Sequence, residues 1–140
     1  AKLIGDIFRD LKVPVGKVIS SPSCRARQTA NLAFGKIDAI HNTLVHYFPW
    51  FEKDKDYFTN VKKILQKYKP KKDENIIITG HNTVMGEHVF DEVIPRNLKY
   101  GLQEGGFYVI KHEANKLVLV HKFESFFNFT GSMYIRPLDK

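Results

Sequence analysis

Cys24 is the only cysteine in this chain. An intrachain disulfide and a cysteine-built zinc site are therefore impossible, and a disulfide-stapled scaffold is excluded. Long apolar runs are missing as well. None approaches the roughly 20 residues a membrane-spanning helix needs, and no signal-peptide pattern occurs. The sequence holds no repeat, no low-complexity stretch and no interdomain linker, so its 140 residues read as one domain (1–140) with room for a core. Acidic residues are the scarcer charge: 15 Asp and Glu against 22 Lys and Arg leave a net charge of +7. That excess reads as a solvated lysine-rich surface, much of it in residues 62–72, or as attraction for an anionic ligand. No RNA- or DNA-binding motif accompanies it, so phosphate-sized anions are expected as ligands and nucleic acid is not. Neither an H-x-x-x-H pair nor an Asp-rich loop occurs, and no metal is expected.

What is present alternates between helical and extended patterns. Leu3, Ile4, Ile7, Phe8 and Leu11 recur at helical spacing and predict a helix over residues 1–12 with one buried stripe. Pro14 and Gly16 end it, and residues 17–20 read as a short strand. Pro22, behind Ser21 as cap, opens a second helix that runs to about Phe34 before Gly35. Residues 37–45 are a strand or an extended segment. The aromatic run Tyr47, Phe48, Trp50 and Phe51, interrupted by Pro49, is a loop that forms either a lid or part of the core. Residues 56–68 predict a helix with Phe58, Val61, Ile64, Leu65 and Tyr68 on one face. A basic connector (70–73) leads to the apolar strand Asn75–Thr79, of the kind buried in parallel sheets. A helix is expected from His81 to about Phe90. Residues 107–111 and 116–123 alternate as a hairpin around 113–115, with His112 and His121 read as surface residues. The tail, with Phe126, Phe127, Phe129, Tyr134 and Ile135, is an edge element or core cover. This alternation predicts an α/β class, with ligands beyond the carboxyl ends of the strands.

Two segments place chemistry there. In Val18-Ile19-Ser20-Ser21-Pro22-Ser23-Cys24-Arg25 a strand hands over to a helix whose first turn carries Arg25. Unpaired N–H groups at a helix start, the helix dipole and a guanidinium fork all suit a phosphoryl group. The run Ile76-Ile77-Ile78-Thr79-Gly80-His81-Asn82 delivers a histidine in the same way. Cys24 has either a packing role or a thiol acidified by Arg25 and the helix start. Arg27, two positions from Arg25, belongs to another helix face.

The block Ser20-Ser21-Pro22-x-x-Arg25-Ala26-x-Gln28-Thr29-Ala30 resembles the S-S-P-x-x-R-A-x-x-T-A block of the histidine phosphatase (phosphoglycerate mutase-like) superfamily. Residues 77–82 are similar to that family's second-histidine block, and the likeness extends over about residues 1–110, with Glu104-Gly105-Gly106 leading into the final hairpin. In size and in Pro14-Val15-Gly16-Lys17-Val18 the chain looks most like the short bacterial type. The resemblance implies a three-layer α/β/α fold with a mostly parallel sheet. It also implies hydrolysis of a phosphomonoester through a phosphohistidine, with no cofactor. Arg25 and His81 would be the catalytic pair that holds the equatorial phosphoryl oxygens, with Asn82 beside them. The substrate would be a phosphorylated small molecule, peptide or protein; no membrane partner is implied.

The chain departs from that pattern at the nucleophile. The family carries it in an Arg-His-Gly or Arg-His-Ala block, whereas here none of the six histidines (His41, His46, His81, His88, His112, His121) follows an arginine. The block's strand is an inner strand in the family, and without it backbone groups of the sheet should be left unpaired. The expectation is that the nucleophile lies upstream of Ala1. The alternative is a non-catalytic phosphate-binding or protein-interaction module. His46, in Leu44-Val45-His46, stands where many relatives place a general acid, or is an ordinary half-buried histidine. Glu87, Glu52 and Asp54 are the other candidates for the acid. Substrate identity, oligomeric state and the choice between cytoplasm and periplasm have no readable code here.

Overall fold

The computed structural model describes residues 1–44, 57–81, 102–126 and 129. In order they form α1 (Lys2–Asp10), β1 (Val15–Ser20), α2 (Cys24–Phe34), β2 (Ala39–Ile40), a 3-10 turn (Asn42–Leu44), α3 (Tyr57–Lys67), β3 (Asn75–Thr79), β4 (Phe107–Glu113) and β5 (Lys116–Phe123). The class is mixed α/β, as the alternation of periods predicts. A three-stranded parallel sheet has the order β2-β1-β3, and β4 and β5 form a separate antiparallel hairpin. The expected helix after His81, the aromatic run 47–51 and the tail beyond 129 lie outside the described residues.

The central strand β1 carries its core on both faces. Val18 and Ile19 are both fully buried, and as consecutive strand residues they point to opposite sides. Ile19 packs with Leu44, with Val61 and Leu65 of α3, and with Leu117 of β5. Helix α2 lies against β1 and β3 and presents the buried Ala26, Ala30 and Ala33. The expected strand over 37–45 shortens to two residues, because Asn42–Leu44 turn and drive Leu44 into the core.

Two expectations are corrected here. The stripe of α1 is not buried as a whole: Leu3 and Leu11 are each 49% exposed, and Gly5 and Ile7 are the buried residues. The cause is the approach of α2. A Cβ added at Gly5 would lie 1.9 Å from the Ala33 carbonyl oxygen, so backbone meets backbone at this point. Arg9 also donates to that oxygen at 3.0 Å. Both contacts turn the Gly5–Arg9 side of α1 inward and leave Leu3 and Leu11 to solvent. Phe8 joins a second cluster, with ring centroids 5.5 Å from Phe34, 6.2 Å from Phe107 and 5.9 Å from Phe129. This cluster holds the hairpin to α1, and Phe129 acts as core cover.

β1 and β3 are neighbours in the sheet. They pair directly, with Val18 opposite Ile77, Ile19 opposite Ile78 and Ser20 opposite Thr79. Among the described residues β3 pairs with β1 alone and forms an edge of its sheet, so the direct β1–β3 pairing does not overturn the expectation of an absent inner strand. His112 also differs from its surface reading. It is half-buried, and its Nε2 lies 2.8 Å from the Leu65 carbonyl, which joins the hairpin to α3; His121 is exposed.

Candidate phosphoryl site

Parallel pairing in register makes β1 and β3 end at the same edge. Their last residues are cross-linked there. The Thr79 hydroxyl donates to Ser20 Oγ at 3.0 Å, Ser20 Oγ donates to the Ser21 carbonyl at 2.9 Å, and the Ser21 N–H donates to the Thr79 carbonyl at 2.9 Å. Ser20 and Ser21 are fully buried, which such hydroxyls tolerate only when bonded. Both chains therefore leave the sheet from a fixed point, and the next residues, Ser21–Arg25 and Gly80-His81, converge.

The cap of α2 is Ser23, not Ser21. Ser23 has extended backbone (φ −65°, ψ 143°), and its hydroxyl accepts from the Ala26 N–H at 3.3 Å. Pro22 consequently precedes the cap instead of occupying the first helical position. Ser21 stays in the site, accepting from the Ser23 N–H at 3.3 Å. Gly35 ends the helix in the left-handed region at φ 72°, as its position predicts.

His81 is held by both serines and by Arg25. Its Nε2 lies 3.2 Å from Ser21 Oγ and 3.1 Å from Ser23 Oγ, and its Nδ1 lies 3.4 Å from Arg25 Nη2. A guanidinium only donates, so Nδ1 is the accepting nitrogen and the neutral ring carries its proton on Nε2, toward the serines. Burial, and then the Arg25 charge, hold the His81 pKa below the usual histidine value. Arg25 is exposed on the first turn of α2, where the dipole favours an anion. The arrangement offers an incoming anion a fork-shaped cation, a polar imidazole and a helix start.

Of the residues singled out in the sequence, Arg25 and His81 are brought together. Asn82, His46, Glu87, Glu52 and Asp54 lie outside the described residues. Arg27 is exposed on α2 and donates to Cys24 Sγ at 3.6 Å. His41, loosely placed in sequence, bonds the Tyr68 hydroxyl through Nε2 at 2.7 Å. Lys67 and Lys17 stand 5.4 and 5.8 Å from the Tyr68 ring. Burial, then Lys67, lowers the His41 pKa. Sequence reading missed Ser23 as a site residue. The signal was present, since Ser23 also stands three residues before a buried alanine, but the preference for proline just inside a helix favoured Ser21.

A cavity of about 570 Å³ opens from the Arg25–His81 pair and is lined by β3, α3 and residues 102–112. Among the described residues, no group of three or more His, Cys, Asp or Glu is placed to hold a metal ion, and no helix is long and apolar enough to cross a membrane. No family model, curated protein or solved structure matches the chain.

Proposed function

We propose that the chain is a phosphoryl-binding domain of the histidine phosphatase (phosphoglycerate mutase-like) type, with the three-layer α/β/α architecture of that superfamily. The observation that carries this reading is the convergence of Arg25 and His81 at the shared carboxyl edge of β1 and β3. In the proposed reaction a histidine supplied upstream of Ala1 attacks phosphorus and the P–O bond to the alcohol breaks. Water then releases phosphate from the phosphohistidine. Arg25 and His81 hold the equatorial oxygens as their charge redistributes, which is where most of the catalytic stabilisation in phosphoryl transfer arises. His46 or Glu87 would protonate the leaving oxygen.

A second reading follows from the six histidines, none of which follows an arginine: a non-catalytic phosphate-binding or protein-interaction module. The test is sequencing of the intact natural protein together with single-turnover labelling. An Arg-His block before Ala1 and an acid-labile phosphohistidine support the phosphatase. Phosphate binding that depends on Arg25, without labelling, supports the module. Absence of any phosphate binding defeats the phosphatase and the phosphate-binding module and leaves the protein-interaction module.

A further inference from the structure

Ser21 holds both ends of the segment by which β3 leaves the sheet. Its backbone N–H donates to the Thr79 carbonyl at 2.9 Å, and its hydroxyl lies 3.2 Å from Nε2 of His81, two residues further on. Thr79, Gly80 and His81 are thereby closed into a loop of bonds on one residue. Ser21 is itself pinned. Its carbonyl accepts from Ser20 Oγ at 2.9 Å, and its hydroxyl accepts from the Ser23 N–H at 3.3 Å. It is fully buried, so its hydroxyl offers no surface to a ligand. Ser23, whose Oγ is 3.1 Å from the same nitrogen, stands on a different footing. It caps α2 by accepting from the Ala26 N–H, and so belongs to the helix that carries Arg25. Ser21 belongs to the sheet.

The consequence falls on the two nitrogens of His81. Nε2 faces two hydroxyls, both on buried residues. Nδ1 faces Nη2 of the exposed Arg25 at 3.4 Å. An anion gripped by Arg25 comes up to Nδ1, while the buried serines occupy the approach to Nε2. An unprotonated phosphoryl oxygen only accepts, so Nδ1 must carry a hydrogen once the anion is bound. A hydroxyl can accept or donate, so Ser21 keeps its bond to Nε2 when the hydrogens of the ring change. Without such a bond the imidazole is free to turn, because its outer torsion is broad and prefers no single orientation of the two nitrogens. We infer that Ser21 is a positioning residue of this site, holding the His81 ring so that Nδ1, and not Nε2, meets the phosphoryl oxygen beside Arg25. Ser21 itself does not touch the phosphoryl group. This inference rests on the phosphoryl-binding reading and adds a residue to it.

The test uses the 140-residue chain and inorganic phosphate near neutral pH. Nitrogen-15 NMR of the histidine rings separates Nδ1 from Nε2, with the His81 signals identified by their loss in His81→Ala. Without phosphate, His81 Nδ1 should show the shift of an unprotonated nitrogen. At saturating phosphate it should move to that of a protonated one. Calorimetry supplies the second readout. Ser21→Ala should weaken phosphate about tenfold, the scale of one hydrogen bond to a charged group. His81→Ala should weaken it at least as much, and the double variant should bind no worse than His81→Ala alone, because Ser21 acts only through His81. A serine needed merely for the fold would give losses that add. Additive losses, or a hydrogen gained on Nε2 instead of Nδ1, overturn the positioning role and leave Arg25 as a phosphoryl ligand. Should Ser21→Ala fail to fold, the spectrum of the unsubstituted chain decides alone. Failure of phosphate to bind the unsubstituted chain overturns the phosphoryl-binding reading and the positioning role together.

Discussion

Arg25 Nη2 stands 3.4 Å from Nδ1 of His81, so a permanent cation faces the nitrogen that would take up a second proton. Burial first, and then this guanidinium, hold the His81 pKa below the usual histidine value, while Nε2 faces Ser21 and Ser23. A dianion arriving at this pair would compensate the guanidinium and so lift the lesser of the two effects that oppose protonation of His81. Ligand and proton are thus coupled through the pair.

The pH dependence follows in sign. The His81 pKa is depressed in the folded chain, so the unfolded chain takes up its proton first. The stability held by neutral His81 is complete above the ordinary histidine value and is lost as pH falls through that value toward the lowered one. In NMR titration the His81 ring should show a midpoint below that of a free histidine. Arg25→Gln should raise it, and saturating phosphate should raise it further in the unsubstituted protein. An unmoved midpoint in Arg25→Gln would show that the guanidinium does not act on the ring.

Arg25→Lys tests the fork separately from the charge. A lysine keeps the positive charge but offers a point donor in place of two parallel N–H groups. Phosphate affinity should drop by about tenfold, or roughly 1.4 kcal/mol. In the intact protein, turnover should drop with it. Near-normal turnover would count against Arg25 as a phosphoryl ligand.

Ser23 has two duties that can be measured apart. Ser23→Ala removes the cap of α2, which should cost about 1 kcal/mol in urea unfolding. The same change removes one of two hydroxyls facing His81 Nε2, so the ring's titration midpoint should shift as well. Ser23→Thr, which keeps a hydroxyl, should restore most of both.

Gly5→Ala sets two effects against each other. In an isolated helix the change gains up to about 1 kcal/mol. Here the new Cβ would lie 1.9 Å from the Ala33 carbonyl oxygen, a backbone atom that cannot move alone. Overpacking of this kind costs about 1–3 kcal/mol or more, so net destabilisation is expected. A higher melting temperature for Gly5→Ala would show that α1 and α2 are not in backbone contact.

Much of the frame was legible in the chain because its causes are local. The apolar run before Ser20 and the run Asn75–Thr79 announced strands. Pro14, Gly35 and the alternation on either side of residues 113–115 announced ends and a turn. The placing of Arg25 and His81 each just past a strand end followed from the same local signals. The choice of Ser23 over Ser21 as cap was not legible. Both are cap-forming residues, and the contest was decided by where the chain emerges from a sheet whose last residues are tied together.

The sequence by itself determined the element types, the excess of positive charge and the presence of two anion-suited residues at separate strand ends. Periodicity and turn chemistry are properties of neighbouring residues, so a single chain carries them openly. Only the tertiary structure decided that β1 and β3 lie side by side, because pairing of strands 59 residues apart depends on register and not on either segment alone. That pairing brings Arg25 to His81. The tertiary structure alone also exposed Leu3 and Leu11, since a helix's buried side is chosen by its nearest neighbour. Here that neighbour is the Ala33 backbone, admitted by the missing side chain of Gly5.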